Sequence, residues 1–145
     1  MTVAWEVGVL WGALGAGGAA ALAALYGRYR DLPAFLTGAV ACGTGPGGSG
    51  LSVCETLFRT PRAALLGVPN ALLGLLLYGL LAVGLLRNWP AWFLCLAATP
   101  GFAMSVFLGA SLLRRNLRCR ICWAGHIANA LLWLTLGFQM LHPDG

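Results

Sequence analysis

Charged side chains divide this chain into long apolar stretches. Residues 7–27, 63–86, 88–113 and 121–143 carry no Asp, Glu, Lys or Arg, and each stretch exceeds the roughly 20 residues needed to cross a hydrocarbon core. A fifth uncharged stretch, 32–54, contains GTGPGGSG at 43–50. Glycine and proline at that density do not hold a helix, and unpaired backbone does not persist in lipid. The pattern therefore predicts four helices, over about 3–26, 69–86, 90–113 and 117–141, with a long loop at 28–67 between the first two. Within that loop, 55–60 reads as a short amphipathic helix. Pro69 suits the first turn of the second helix. RNWP at 87–90 makes the second and third helices an antiparallel hairpin, and Pro100 is expected to kink the third. Asn116 is the expected N-cap of the fourth helix, which places Cys119 in that helix's first turn.

Composition agrees. Hydrophobic residues make up 59% and charged residues 9% of the 145, where a soluble domain carries about a quarter charged. Four acids and nine arginines cannot supply a polar skin. The net charge of +5 is not a phosphate-binding surface, because the chain has no lysine and its arginines fall in short clusters; no nucleic-acid partner is expected. The expected class is all-α, an integral membrane four-helix bundle forming one domain over 1–145. Neither a basic leader nor a small-residue cleavage site is evident at the N-terminus, so no signal peptide is expected. Gly8, Gly12, Gly15, Gly17 and Gly18 are small residues of the kind that let transmembrane helices approach closely.

Candidate chemistry centres on cysteine. An even number of spans puts both termini on one side, and Cys42, Cys54, Cys119 and Cys122 on the other. Cys95 falls inside the third helix and reads as a small packing residue. Cys119 and Cys122 form a C-x-x-C at a helix start, amid Arg114, Arg115, Arg118 and Arg120. A helix N-terminus and neighbouring cations both favour a thiolate, the species that attacks disulfides. A tetrathiolate metal site is the competing reading, although Cys42 and Cys54 are spaced more widely than ligand pairs usually are. Cys119, Cys122, His126, Asn129 and Trp133 recur at three- and four-residue steps, which is one stripe of the fourth helix. Polar residues inside a span face the bundle interior or a cavity. A thiol with a hydrogen-bond donor beside it in apolar walls suits a quinone, whose ring wants apolar surroundings and whose oxygens want donors. Asn70 reads equally as a ligand or as a helix cap, and Asn129 as an interhelical hydrogen bond.

These residues resemble the vitamin K epoxide reductase (VKOR) family over about 22–133. The resemblance rests on Cys42 and Cys54 followed by Phe58 and Thr60, on GVPNALLG at 67–74 with Tyr78 one turn on, and on Cys119-x-x-Cys122 opening the last helix. It implies a four-helix membrane enzyme that oxidises thiols and reduces a quinone (menaquinone, ubiquinone or vitamin K) without metal or flavin. It further implies a relay, in which a thioredoxin-like partner hands electrons to Cys42 and Cys54, Cys54 exchanges with Cys119, and Cys122 faces the quinone. By position, Asn70 would bond one quinone oxygen. His126, standing where vertebrate members have a tyrosine, would bond the other. Phe58, Leu73, Leu77 and Tyr78 would line the pocket, with Thr60 supporting the loop. Many bacterial members carry a fused thioredoxin-like domain after the helices. This chain stops at Gly145, so its partner is expected in trans.

A DsbB-type quinone reductase is also four helices with two cysteine pairs, but it carries its C-x-x-C in the first exoplasmic loop. Here the C-x-x-C comes last and opens a span. A non-enzymatic membrane protein holding a metal on four cysteines is the alternative from another class. Orientation is contested. The family usually turns its cysteine face to the oxidising, exoplasmic side, and the expectation leans there by a small margin. Yet eight of the nine arginines lie on the cysteine side, which by the positive-inside rule belongs in the cytoplasm.

Overall fold

The computed structural model describes residues 4–37, 53–65 and 67–142. Cys42 and the glycine-rich stretch 43–50 lie outside the described residues. In chain order the elements are α1 (Ala4–Tyr29), α2 (Ala34–Thr37), α3 (Val53–Phe58), a 3-10 turn (Pro61–Ala63), strands β1 (Ala64–Leu65) and β2 (Val68–Pro69), then α4 (Asn70–Leu86), α5 (Ala91–Arg114) and α6 (Arg120–Leu141). The two strands pair antiparallel, Ala64 opposite Pro69 and Leu65 opposite Val68.

The described part of the chain is predominantly helical. α1, α5 and α6 are long and apolar enough to cross a membrane. α4 is apolar too but has 17 residues, about 26 Å at the usual helical rise, shorter than a typical hydrocarbon core. Each long helix packs on two others: α6 on α1 and α5, and α4 on α1 and α5. The core between them holds Leu10 and Leu14 of α1, Tyr78 and Leu81 of α4, Leu94 and Cys95 of α5, and Leu132 and Leu136 of α6. Cys95 is a buried free thiol in this core. The outer faces are the reverse of a soluble protein's: Leu76, Leu96, Phe107, Leu113 and Leu134 are all more than half exposed. An exposed apolar surface of this extent needs an apolar surrounding.

Several boundaries differ from the sequence reading, each for a local reason. α1 continues three residues past the expected end. Asn116 does not cap α6. It adopts φ 51° and closes α5, with Asn116 N–H donating to Leu113 O and Leu117 N–H to Leu112 O. Asn88, at φ 53°, closes α4 by the same pattern, Asn88 N–H to Leu85 O and Trp89 N–H to Gly84 O. Asparagine tolerates this left-handed conformation, which is what a helix C-terminus needs there. The N-cap of α6 is Cys119 itself. Likewise Pro69, not Asn70, occupies the N-cap position of α4, with no side-chain cap bond.

Of the five glycines Gly8, Gly12, Gly15, Gly17 and Gly18, Gly17 is the one pressed by another helix. A Cβ there would lie 2.5 Å from Tyr78 Cζ. Gly8, Gly12, Gly15 and Gly18 have open space where a Cβ would go. At the far end Gln139 Nε2 donates to Glu6 Oε2 at 3.0 Å, and Trp5 meets Phe138. This ties the start of α1 to the end of α6.

Candidate functional site

The segment after α1 is held against the bundle by charged side chains, in a chain with few of them. Arg28 Nη1 donates to Phe58 O at 2.9 Å. Leu32 N–H donates to the buried Glu55 Oε1 at 2.7 Å. Arg59 pairs with Asp31 at 3.0 Å. Gly27 lets Phe58 close in, since a Cβ there would meet Leu32 and Phe58 side chains at about 3.0 Å. These contacts dock α3 on α1 and α6 and bury Cys54 and Cys119 completely, at 0% exposure each, in one cluster with Leu32 and Phe58. Cys54 is disulfide-bonded, whereas Cys119 and Cys122 are free thiols.

Cys122 N–H donates to Cys119 Sγ at 3.3 Å. The Cys119 thiol is held below the ordinary thiol range, first by the hydrogen bond from the Cys122 side chain and then by backbone N–H groups, while burial pushes the other way. Its N-cap position adds the positive end of the α6 dipole. Cys119 is therefore the better nucleophile of the pair.

Beside them lies a cavity of about 530 Å³, within the size range of small-molecule sites, about 300–1,000 Å³. Cys122, Asn70, His126, Phe58, Thr60, Leu73, Leu77 and Tyr78 all line it. Cys54 and Cys119 do not; they share the buried cluster against which Cys122 packs. The walls are mostly aliphatic, with Ala20, Ala24, Leu108 and Ile121 among them. Asn70 Oδ1 is buried at the start of α4. The His126 ring meets Trp123 edge to face, and its nitrogens have no hydrogen-bond partner among the described residues. Thr60 Oγ1 donates to Leu57 O at 2.7 Å, closing the turn after α3.

At the other side of the cavity three helices share a hydrogen-bond chain. Tyr78 Oη donates to Asn129 Oδ1 at 2.8 Å, and Asn129 Nδ2 donates to Ser105 Oγ at 2.7 Å. Asn129 is thus an interhelical tie as well as a wall residue. Ser105 went unnoticed in the sequence, where a lone serine in an apolar helix carries no signal. Glu55 and Arg28 could have been found: with so few charges, each buried one needs a partner. Among the described residues no three His, Cys, Asp or Glu side chains converge as metal ligands.

A family comparison matches residues 9–136 to the Vitamin K epoxide reductase family. No curated protein and no solved structure matches the chain.

Proposed function

The chain belongs to the vitamin K epoxide reductase family, and on that premise we propose that it is a membrane thiol:quinone oxidoreductase supporting disulfide bond formation. The whole chain acts as one catalytic domain, with α4 as the fourth traverse and both termini on one side; a slightly short helix is accommodated by local bilayer thinning. A thioredoxin-like protein in trans gives up its dithiol to the loop pair, Cys42 and Cys54. Cys54 exchanges with Cys119, leaving Cys119 and Cys122 as the dithiol beside the cavity. When the Cys119–Cys122 bond forms, two thiols release two electrons and two protons. A quinone takes up both and becomes the quinol.

The observation that carries this reading is the placement of Cys122. It lines a cavity of quinone size, while its C-x-x-C partner is buried against the disulfide-bonded Cys54. The geometry therefore offers a linear order from Cys54 through Cys119 to Cys122. Asn70 and His126 supply polar groups to an otherwise apolar wall and are assigned to the two quinone oxygens. Phe58, Leu73, Leu77 and Tyr78 surround the ring. The Tyr78 hydroxyl is already donated to Asn129, so its role is to shape the pocket.

The test is turnover by the purified protein with dithiothreitol and menaquinone, read as quinol formation. Cys122→Ala should abolish it and Cys95→Ala should leave it unchanged. Normal turnover by Cys122→Ala would sink the assignment.

A further inference from the structure

The cysteine end carries an uneven share of the charge. Arg30, Arg114, Arg115, Arg118 and Arg120 are all exposed there, and among the described residues none of them meets a carboxylate; the ion pair present joins Arg59 to Asp31. At the opposite end, in the described residues, Arg87 is the sole arginine. Glu6 at that end is buried against Gln139.

Two local explanations do not account for the whole crown. Stabilising the cysteine thiolate is the first. Cys119 is fully buried, its acidity comes from Cys122 and backbone N–H groups, and no arginine among the described residues bonds a cysteine sulfur. Stabilising the helices is the second. Arg114, in the last turn of α5, does suit that helix's dipole. Arg118 and Arg120 stand at the start of α6, where a cation opposes the dipole. Arg115 also borders the cavity, but the remaining exposed arginines do not. What is left is a cluster of cations within a few residues of two membrane-spanning helix ends. That is where the positive-inside bias is read, and where anionic headgroups of the cytoplasmic leaflet attract basic side chains.

We propose that the arginine crown rests in the anionic headgroups of the cytoplasmic leaflet, so that the cysteine relay exchanges electrons with partners in the cytoplasm. This reverses the exoplasmic placement implied by the family resemblance. It rests on the proposed thiol oxidation, and names the compartment whose thiols the site oxidises.

The experiment expresses the full chain with single added cysteines, Tyr29→Cys at the arginine end or His142→Cys at the other, both exposed positions. Labelling by a membrane-impermeant maleimide is read above that of the unsubstituted chain. His142→Cys should label fully in intact cells, and Tyr29→Cys only after lysis. The opposite pattern overturns the proposal. Reporters fused after Gly145 give a second readout that needs no substitution: alkaline phosphatase should be active there and a fluorescent protein dark, and the reverse overturns it. Replacing Arg114, Arg118 and Arg120 together with Gln should lose the single orientation, so that both positions label in part. A uniform orientation in that variant would show that the crown does not set it. Quinone turnover by the purified protein in detergent is blind to orientation, so loss of the oxidoreductase reading and loss of the sidedness reading remain distinguishable.

Discussion

At the scale of single residues, the site sets two thiols three positions apart to different tasks. Hydrogen bonds from Cys122 stabilise the Cys119 thiolate, so Cys119 ionises below the ordinary thiol range. Removing the Cys122 side chain takes away the largest of those bonds, and the pKa of Cys119 must rise. In detergent-opened protein, the pH profile of Cys119 alkylation should therefore move to higher pH in Cys122→Ala. An unmoved profile would mean the backbone and the helix dipole suffice. In the proposed reaction Asn70 and His126, unlike the thiols, exchange no electrons. A hydrogen bond lost in such a pocket costs about 1–3 kcal/mol, roughly 5- to 150-fold. Asn70→Ala and His126→Phe should weaken quinone use by that order while Cys119 and Cys122 remain reducible, as steady-state kinetics against quinone concentration would read. Kinetics unchanged in both variants would make these residues structural.

At the scale of elements, α1 and α4 meet where a glycine faces a tyrosine. Tyr78 fills the space above Gly17 and is anchored from behind by Asn129 of α6. It cannot swing away from an added methyl without giving up that bond. Gly17→Ala should destabilise the detergent-solubilised protein by about 1–3 kcal/mol, the usual range for overpacking. The cost should shrink in a Tyr78→Leu background, a pattern that thermal unfolding of the four variants would reveal. Gly8→Ala, with open space around it, should cost little. Glycine spacing along the first helix named five candidates, but spacing does not show which face a neighbour approaches. Only the packing of α4 singles out Gly17.

At the scale of the whole molecule, the proposed order of the cysteines rests on where each one packs. α3 carries Cys54 onto the end of the bundle, over Cys119, and Cys122 lies on the inner side, at the cavity. A small membrane-permeant dithiol can reach the cavity directly. On the proposed relay a folded protein, too large to enter, works through Cys42 and Cys54. Cys54→Ala should therefore lose turnover with a thioredoxin-like reductant and keep it with dithiothreitol, measured as quinol formation with each. Equal loss with both reductants would mean that Cys54 serves the inner site directly.

Much of this architecture is written in the linear pattern. Uncharged runs set the long helices within a few residues, because burial in lipid penalises each charge strongly enough to mark the ends. The GVPNALLG run and the C-x-x-C identified the family, because both are local spacings. Other features depended on groups that meet only after folding. Asn116 looked like the start of one helix and proved to be the end of another, since an N-cap and a left-handed C-terminal residue favour the same side chain and differ only in backbone angle. Asn70 read equally as a cap or a ligand, and the neighbouring Pro69 took the cap position. The bond from Tyr78 through Asn129 to Ser105 joins three helices, and nothing along any one of them foretells it. The arginines could be counted from the start. That Cys119 is buried beneath α3, with no arginine among the described residues bonded to its sulfur, rests on a long-range contact that no local pattern encodes.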